Sequence, residues 1–324
     1  MQMNSEDIRE LASAFQKSRV LLTAYDLRLF THMGRKARSA DDLAARTRTD
    51  VRGLDRLLGA LTAMGLVIKR ETTYRATESA FRLLSEESPE QLSLGHLSNL
   101  YDNWGTLTRA VQEGGTVLEP DFDTEERREH FIAAMHSRAR NNARELAVRL
   151  PLAQTRHVLD VGGGSGVYSM AMCRAWPGLR ATVLDLPQVT PLTRRYVAEA
   201  GLEQRVKTRD GDMRTSDWGQ EYDFVFLSAI VHMFGPEDNA ALVRRAHNAL
   251  EPGGRLALVD FLMDDTRTSP AFGALFALNM LVNTRQGDAY TESEVRRWFE
   301  QAGFTDLGCV PAGPNTRMFL GTKA

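Results

Sequence analysis

A chain of 324 residues, 43% hydrophobic and 25% charged with a net charge of −2, has an ordinary globular composition. Single cores seldom grow past about 250–300 residues, so two domains are expected. The slightly acidic balance argues against a nucleic-acid-binding protein, and no apolar run of about 18 residues exists to span a membrane. The polar N-terminus does not read as a secretory signal. Cys173 and Cys309 are far apart and suit the reduced thiols of a cytoplasmic protein. The seven histidines form no H-x-x-x-H pair or mixed Cys/His cluster, so no metal is expected.

From Leu11 to about Leu84 the pattern is helical with short breaks. Val20-Leu21-Leu22, Ala24, Leu27 and Leu29-Phe30 make an apolar stripe. Ser39 caps a second helix, with Asp42 three residues later as a variant capping box. Asp50 opens a third helix, carrying Leu54, Leu57-Leu58, Leu61 and Met64 and ended by Gly65. Leu66-Val67-Ile68 and Glu71 to Thr77 then read as a two-stranded wing, completing a winged-helix module. Such a module also occurs in DNA-binding ligand sensors. Residues 1–85 carry five more basic than acidic side chains, and Arg48, Arg52 and Arg56 fall on the candidate recognition helix. Against that, the leucines of this helix leave little of it exposed for base reading, and no basic tail or arm supplements it.

Residues 86–150 are helical again, with Trp104, Leu107, Val111, Phe122, Phe131 and Met135 as apolar positions. Phe131 and Met135 are one turn apart, suited to cap a substrate pocket or to plain core. Asn141, Asn142 and Arg144 on the same segment are either solvated or directed at a ligand. The expected organisation is a winged-helix domain over 1–90, a helical linker and pocket-capping segment over 91–150, and an α/β domain over 151–324.

Val158 to Gly166 carries the most information. A short apolar strand around Asp160 runs into Gly162-Gly163-Gly164-Ser165-Gly166, and a helix over Val167–Ala175 follows directly. Glycines at the mouth of a parallel strand let the backbone approach a nucleoside-sized ligand closely. Asp185 ends the next apolar run, about 20 residues on, where an acid holds ribose hydroxyls. The dinucleotide fingerprint would need glycine at 167, where Val167 stands. Asp160 disfavours a pyrophosphate and favours a cationic sulfonium or ammonium group. S-adenosylmethionine therefore fits better than NAD.

Beyond Asp185, Leu186-Pro187 starts a helix to about Ala200, and Val206–Asp210 is a third strand. Asp212 and Met213 follow it, suited to accept from an exocyclic amine and to lie on an adenine face. Asp223–Ser228 is a fourth strand, with His232 just past its carboxyl end, where open α/β sheets gather ligands. Histidine is the side chain best matched to taking a proton near neutral pH. Gly235-Pro236-Glu237-Asp238 reads as a helix start. Pro252-Gly253-Gly254 reads as a turn before a fifth strand, Arg255–Phe261, whose Asp260 is placed to orient the imidazole. Phe272, Phe276, Leu278 and Met280-Leu281 give a helix of bulky apolar groups suited to an aromatic or polyketide-like substrate. A helix over Glu292–Ala302 follows. Phe304–Val310 and Thr316–Gly321 form a closing hairpin.

These motifs in this order resemble the class I S-adenosylmethionine-dependent O-methyltransferases of the plant caffeate/acetylserotonin type and their bacterial natural-product relatives. The likeness runs from Ser39-Ala-Asp-Asp-Leu-Ala-Ala through Gly65-Leu66-Val67, Asp160–Gly166, Asp185-Leu186-Pro187, Gly211-Asp212-Met213 and Ile230-Val231-His232 to Ala302-Gly303-Phe304. It implies a Rossmann-like sheet of seven strands, the last antiparallel, behind a helical winged-helix dimerisation domain, and a homodimer. It also implies cofactor contacts from Asp160, Gly162, Gly164, Asp185, Leu186, Asp212, Met213 and Ser228, with S-adenosylhomocysteine as product. His232 takes the position of the general base and Asp260 that of a flanking glutamate. Phe131, Met135, Phe272, Phe276 and Met280 are the expected pocket. Two departures stand out. Met233-Phe234 replaces Asp-Trp, and Ala289 occupies the second glutamate position, leaving Asp288 or Tyr290 as substitutes. The expected activity is methylation of a phenolic or enolic hydroxyl; some relatives keep the cofactor but act as hydroxylases, decarboxylases or pericyclases.

Overall fold

The computed structural model describes residues 3–119 and 124–324; Phe122 and the side chain of Asn141 lie outside what it describes. The chain divides into two compact units, Met1–Asp102 and Asn103–Ala324. The stretch 91–150 is thus not a body of its own: it is split between the two.

In the first unit the helix Ser5–Ser13 starts earlier than expected. Asn4 accepts from the Asp7 amide at 3.0 Å, and Asp7 returns a bond to the Asn4 amide at 2.9 Å, a full capping box. No residue of this helix is buried. Helices Phe15–Asp26 and Leu29–Met33 follow, then β1 (Arg38–Ser39) and helices Ala40–Thr47 and Val51–Ala63. Ser39 and Asp50 cap the last two. The capping box expected at Ser39 is only half formed, because the Asp42 carboxylate turns to Arg38 and Arg46 at 2.8 and 3.0 Å. β2 (Val67–Arg70) and β3 (Thr73–Ala76) form the wing. β1 pairs with β3, a third strand too short to show a period in the sequence.

The core of this unit joins Phe30, Met33, Leu43, Leu54, Leu58 and Leu61 with Tyr74 of the wing. Leu54, Leu58 and Leu61 turn one face of the helix Val51–Ala63 inward. Of the arginines expected on that helix, Arg52 and Arg56 lie on it and are exposed. Arg48 instead ends the preceding helix in the left-handed conformation, and Arg56 pairs with its neighbour Asp55 at 2.7 Å.

The second unit is built on one sheet of seven strands. These are β4 (His157–Val161), β5 (Arg180–Asp185), β6 (Val206–Asp210), β7 (Tyr222–Ser228), β8 (Leu250–Asp260), β9 (Phe304–Gly313) and β10 (Thr316–Lys323), in the order β6-β5-β4-β7-β8-β10-β9. β4 to β8 are parallel, and β10, the last in the chain, runs antiparallel to both of its neighbours. β4 and β7 are nearly continuous apolar runs because helices cover both faces of a parallel sheet. β8 starts five residues before the expected strand. Pro252-Gly253-Gly254, expected as a turn, lies inside it: its pairing with β7 jumps between Tyr222↔Leu250 and Phe224↔Arg255.

β4 is followed by β5 on one side and flanked by β7 on the other, so the strand order reverses at β4. A crevice at the carboxyl ends of the strands is the consequence. Helix Glu125–Arg149 packs against helix Val167–Ala175 beside that crevice. Among the described residues, no helix is long and apolar enough to cross a membrane.

Candidate functional site

The glycine loop leaves β4 at the crevice. A Cβ at Gly162 would lie 2.3 Å from Ile230 Cδ1 and 2.9 Å from Met213 Cε; at Gly163 it would lie 2.7 Å from the Asp160 carboxyl. The loop is therefore sandwiched, and only glycine fits between its supports. Asp160 is 1% exposed and accepts from Ser169 Oγ at 2.6 Å. Burial, followed by the neighbouring Asp185 charge, pushes its carboxyl up to about 6, against the Ser169 bond. Asp160 thus supports the loop from beneath, as a buried acid whose charge a nearby cation would stabilise.

Asp185 reaches across from the end of β5. Its Oδ2 accepts from the Gly164 amide and its Oδ1 from the Leu186 amide, both at 2.8 Å. Burial raises this carboxyl and the two amides oppose the rise. Each oxygen keeps a lone pair for a further donor. Leu186 contributes here through its backbone. Thr193, buried on helix Thr190–Glu199, donates to Gly164 O at 2.5 Å, a support the sequence reading missed. Past β6, Asp212 is gripped by Arg214, which holds its carboxyl below the usual range. Trp218 Nε1 donates to Met213 O at 2.9 Å, fixing that loop.

Helix Glu125–Arg149 reaches the loop through Ile132 and His136, which the sequence did not single out. Ile132 is buried and its Cδ1 lies 3.5 Å from where a Gly164 Cβ would stand, whereas Phe131 beside it is 39% exposed. Met135, one turn on, is half-buried. His136 Nδ1 meets Ser165 Oγ at 2.9 Å and its ring stacks on Tyr196. Tyr168, over Phe226, faces Ser228 at the end of β7 and Asn142 with its hydroxyl.

The second half of the site begins at Ala229, whose φ of +58° turns the chain sharply off β7. A left-handed non-glycine residue costs roughly 1–2 kcal/mol, and the following single turn, Val231–Met233, carries His232. Asn239 is fully buried and brackets that turn, donating from Nδ2 to Val231 O at 2.8 Å and Phe234 O at 3.1 Å. Tyr290 also donates to Phe234 O. His232 Nδ1 stands 2.8 Å from Asp260 Oδ1, which also accepts the Phe261 amide. A carboxylate only accepts, so Nδ1 carries the proton and Nε2 is the basic nitrogen.

An aromatic wall borders this pair. Phe276 meets the His232 ring edge-on at 4.9 Å, and Phe261 lies 4.5 Å from Phe276 and 5.2 Å from Phe272. Phe272, Phe276 and Met280 share helix Ala271–Asn283, as the sequence suggested; Phe261 was missed because it reads as the end of a buried strand. Neither proposed substitute for the second carboxylate reaches His232. Asp288 pairs with Arg267 at 2.9 Å, Tyr290 turns to Phe234 O, and Ala289 is fully buried. A hollow of about 560 Å³ opens elsewhere, between Leu262, Met263, Pro270, Glu292, Arg296 and Arg317, and includes none of the expected pocket residues. No metal-ligating cluster occurs among the described residues.

Two family models match the chain: an O-methyltransferase domain over residues 105–305 and an O-methyltransferase dimerisation domain over residues 9–86. The chain is 32% identical to the tetracenomycin polyketide synthesis 8-O-methyl transferase of Streptomyces glaucescens, over 98% of this chain and 96% of that protein. It is 31% identical to the 3-hydroxy-5-methyl-1-naphthoate 3-O-methyltransferase of Streptomyces sahachiroi, over 94% and 90%. Among solved structures it is similar to PigF with S-adenosylhomocysteine, with a TM-score of 0.91 and 26% identity over 99% of this chain and 100% of that one.

Proposed function

The chain belongs to the O-methyltransferase family and uses S-adenosylmethionine, and from that premise we propose that it methylates a phenolic or enolic hydroxyl with His232 as general base. The acceptor is a small aromatic or polyketide-like molecule. The observation that carries this reading is the His232–Asp260 contact at 2.8 Å beside the Phe261–Phe276 wall. The relatives named for an aromatic polyketide and a hydroxynaphthoate support the acceptor class.

The cradle fits the cofactor: Gly162 and Gly163 leave no room for a side chain, and Asp185 keeps lone pairs for ribose hydroxyls. Asp185 and the Leu186 backbone hold the ribose. Asp212 and Met213 would take the adenine, Gly162 and Gly164 would hold the methionine part, and Ser228 would add a further contact to the cofactor. Asp160 would offset the positive charge of the sulfonium. When bound, S-adenosylmethionine supplies an electrophilic methyl and leaves as S-adenosylhomocysteine.

His232 Nε2 removes the hydroxyl proton as the acceptor oxygen takes the methyl. Asp260 holds the imidazole and offsets its positive charge. A phenol near pKa 10 is mostly protonated at neutral pH, so the base contributes about 10²- to 10⁴-fold in rate. Alignment and exclusion of water supply the rest. Phe131, Met135, Phe272, Phe276 and Met280 border the acceptor. Nothing in the site or the relatives favours hydroxylation, decarboxylation or pericyclic chemistry.

The protein works as a homodimer through its N-terminal unit, where Ile8, Leu11 and Phe15 are more than half exposed, apolar and close in sequence. The free thiols Cys173 and Cys309 suit the cytoplasm. Isothermal titration with S-adenosylmethionine and S-adenosylhomocysteine tests the premise, followed by transfer of a labelled methyl group to naphthols. Micromolar cofactor binding, lost in Asp185→Ala, is expected; no binding of either compound sinks the reading.

A further inference from the structure

Arg138 stands on helix Glu125–Arg149 with its guanidinium carbon 5.0 Å over the Phe261 ring. That ring belongs to the wall that meets His232: Phe261 lies 6.1 Å from the imidazole and 4.5 Å from Phe276. Among the described residues, no carboxylate lies within 4.0 Å of Arg138, although most arginines of this unit with a ring contact also hold an acid or a carbonyl. Its charge also reaches the Tyr168 hydroxyl, which burial raises and which faces Ser228 and Asn142. Arg138 and Asn142 are one helical turn apart on helix Glu125–Arg149; Arg138 meets the residue that follows β8, and Asn142 meets the Tyr168 hydroxyl and donates to Ala312 O at 3.3 Å.

A guanidinium over an aromatic face keeps five N–H donors around its rim, shaped for a planar oxyanion. A cation with no acid partner among the described residues, seated on the wall beside the base, is suited to an anionic group of the acceptor. We propose that Arg138 is a specificity residue selecting aromatic acceptors that carry a carboxylate or an ionised enol on the ring system being methylated. This rests on the reading above that the Phe261–Phe272–Phe276 wall borders the acceptor. The methionine carboxylate of the cofactor offers the same chemistry, and the position over Phe261, on the His232 side, favours the acceptor.

The test is calorimetric titration of the protein saturated with S-adenosylhomocysteine, using the hydroxy-2-naphthoate positional isomers, each against 2-naphthol. At least one carboxylated isomer is expected to bind about 10- to 100-fold more tightly than 2-naphthol, the range of a charged hydrogen bond. Arg138→Gln abolishes that preference, Arg138→Lys keeps part of it, and affinity for S-adenosylhomocysteine stays within about twofold. Equal binding of all probes, or of none, overturns the proposal, as does a preference that survives Arg138→Gln. A loss of S-adenosylhomocysteine affinity in Arg138→Gln also overturns it, assigning Arg138 to the cofactor. Failure of the wild-type protein to bind S-adenosylhomocysteine is a different result and strikes the underlying reading.

Discussion

The two halves of the crevice are built on different principles. The cofactor half, from Asp160 to Asp185, is made of backbone: two carboxylates hold a loop whose glycines are wedged between Ile230, Met213 and Asp160. The half proposed for the acceptor draws on side chains from four separate elements, His232, Asp260, Phe276 and Arg138, more than 130 residues apart at the extremes. Backbone sites tolerate almost no change but recognise one ligand; side-chain sites can be retuned residue by residue. Substitutions should therefore separate affinity for the cofactor from turnover of the acceptor.

The largest effect is expected at the base. His232→Ala should lower kcat by about 10²- to 10⁴-fold while leaving the cofactor Kd within a few fold, measured by steady-state kinetics beside titration. Gly162→Val should do the reverse. A branched side chain at φ +67°, driven into Ile230 and Met213, combines strain and overpacking. A loss of about 10²-fold in cofactor affinity follows from about 3 kcal/mol of such conflict. If both variants lose both properties, the halves are not separable. Asp260→Asn should lower kcat by about 10- to 100-fold, because the imidazole loses the carboxylate that orients it.

Asn239→Ala is a milder probe of the same half. It takes the side-chain donor from the buried Val231 carbonyl and leaves Phe234 O to Tyr290, at a cost of about 1–3 kcal/mol in stability, and should cut kcat by less than Asp260→Asn. Thermal unfolding and kcat should fall together; unchanged kcat would show the turn to be held by Tyr290 alone. The smallest effect is electrostatic. Burial raises the Asp160 carboxyl to about 6, above its ordinary 3.8, so the folded apoprotein holds this proton up to that pH. Ionising Asp160 therefore costs stability that is absent below about pH 4 and fully present above 6. A bound cation repays part of it, so affinity for S-adenosylmethionine should rise a few fold from pH 5 to 7. Asp160→Asn should flatten that rise, as read by titration across the range.

The same contrast explains what the sequence made legible. The loop, Asp185 and the His232–Asp260 pair each declare themselves through position at a strand end, which periodicity and glycine spacing reveal. Asn239, Thr193 and Arg138 do not, because a polar residue on a helix reads the same whether it faces solvent or a neighbouring carbonyl. Ile132, which is buried against the loop, went unremarked because it differs from its neighbour Phe131 only in helix phase. Some misses did have a signal. Asn4-Ser5-Glu6-Asp7 is a legible capping box, whereas Pro252-Gly253-Gly254 signals a turn so strongly that its place inside β8 required the pairing with β7 to be seen.

β10 lies between β8 and β9, and Arg317 is the cross-strand partner of Asp260. The carboxylate that orients His232 thus sits on a strand whose second neighbour is made of residues 316–323. During synthesis, β4 to β8 and the glycine loop exist well before that neighbour does. The cofactor half can assemble while the chain is still growing, and the half that holds the base is finished last. A chain stopped at Asn315 is expected to retain measurable binding of S-adenosylhomocysteine on a destabilised sheet but no turnover.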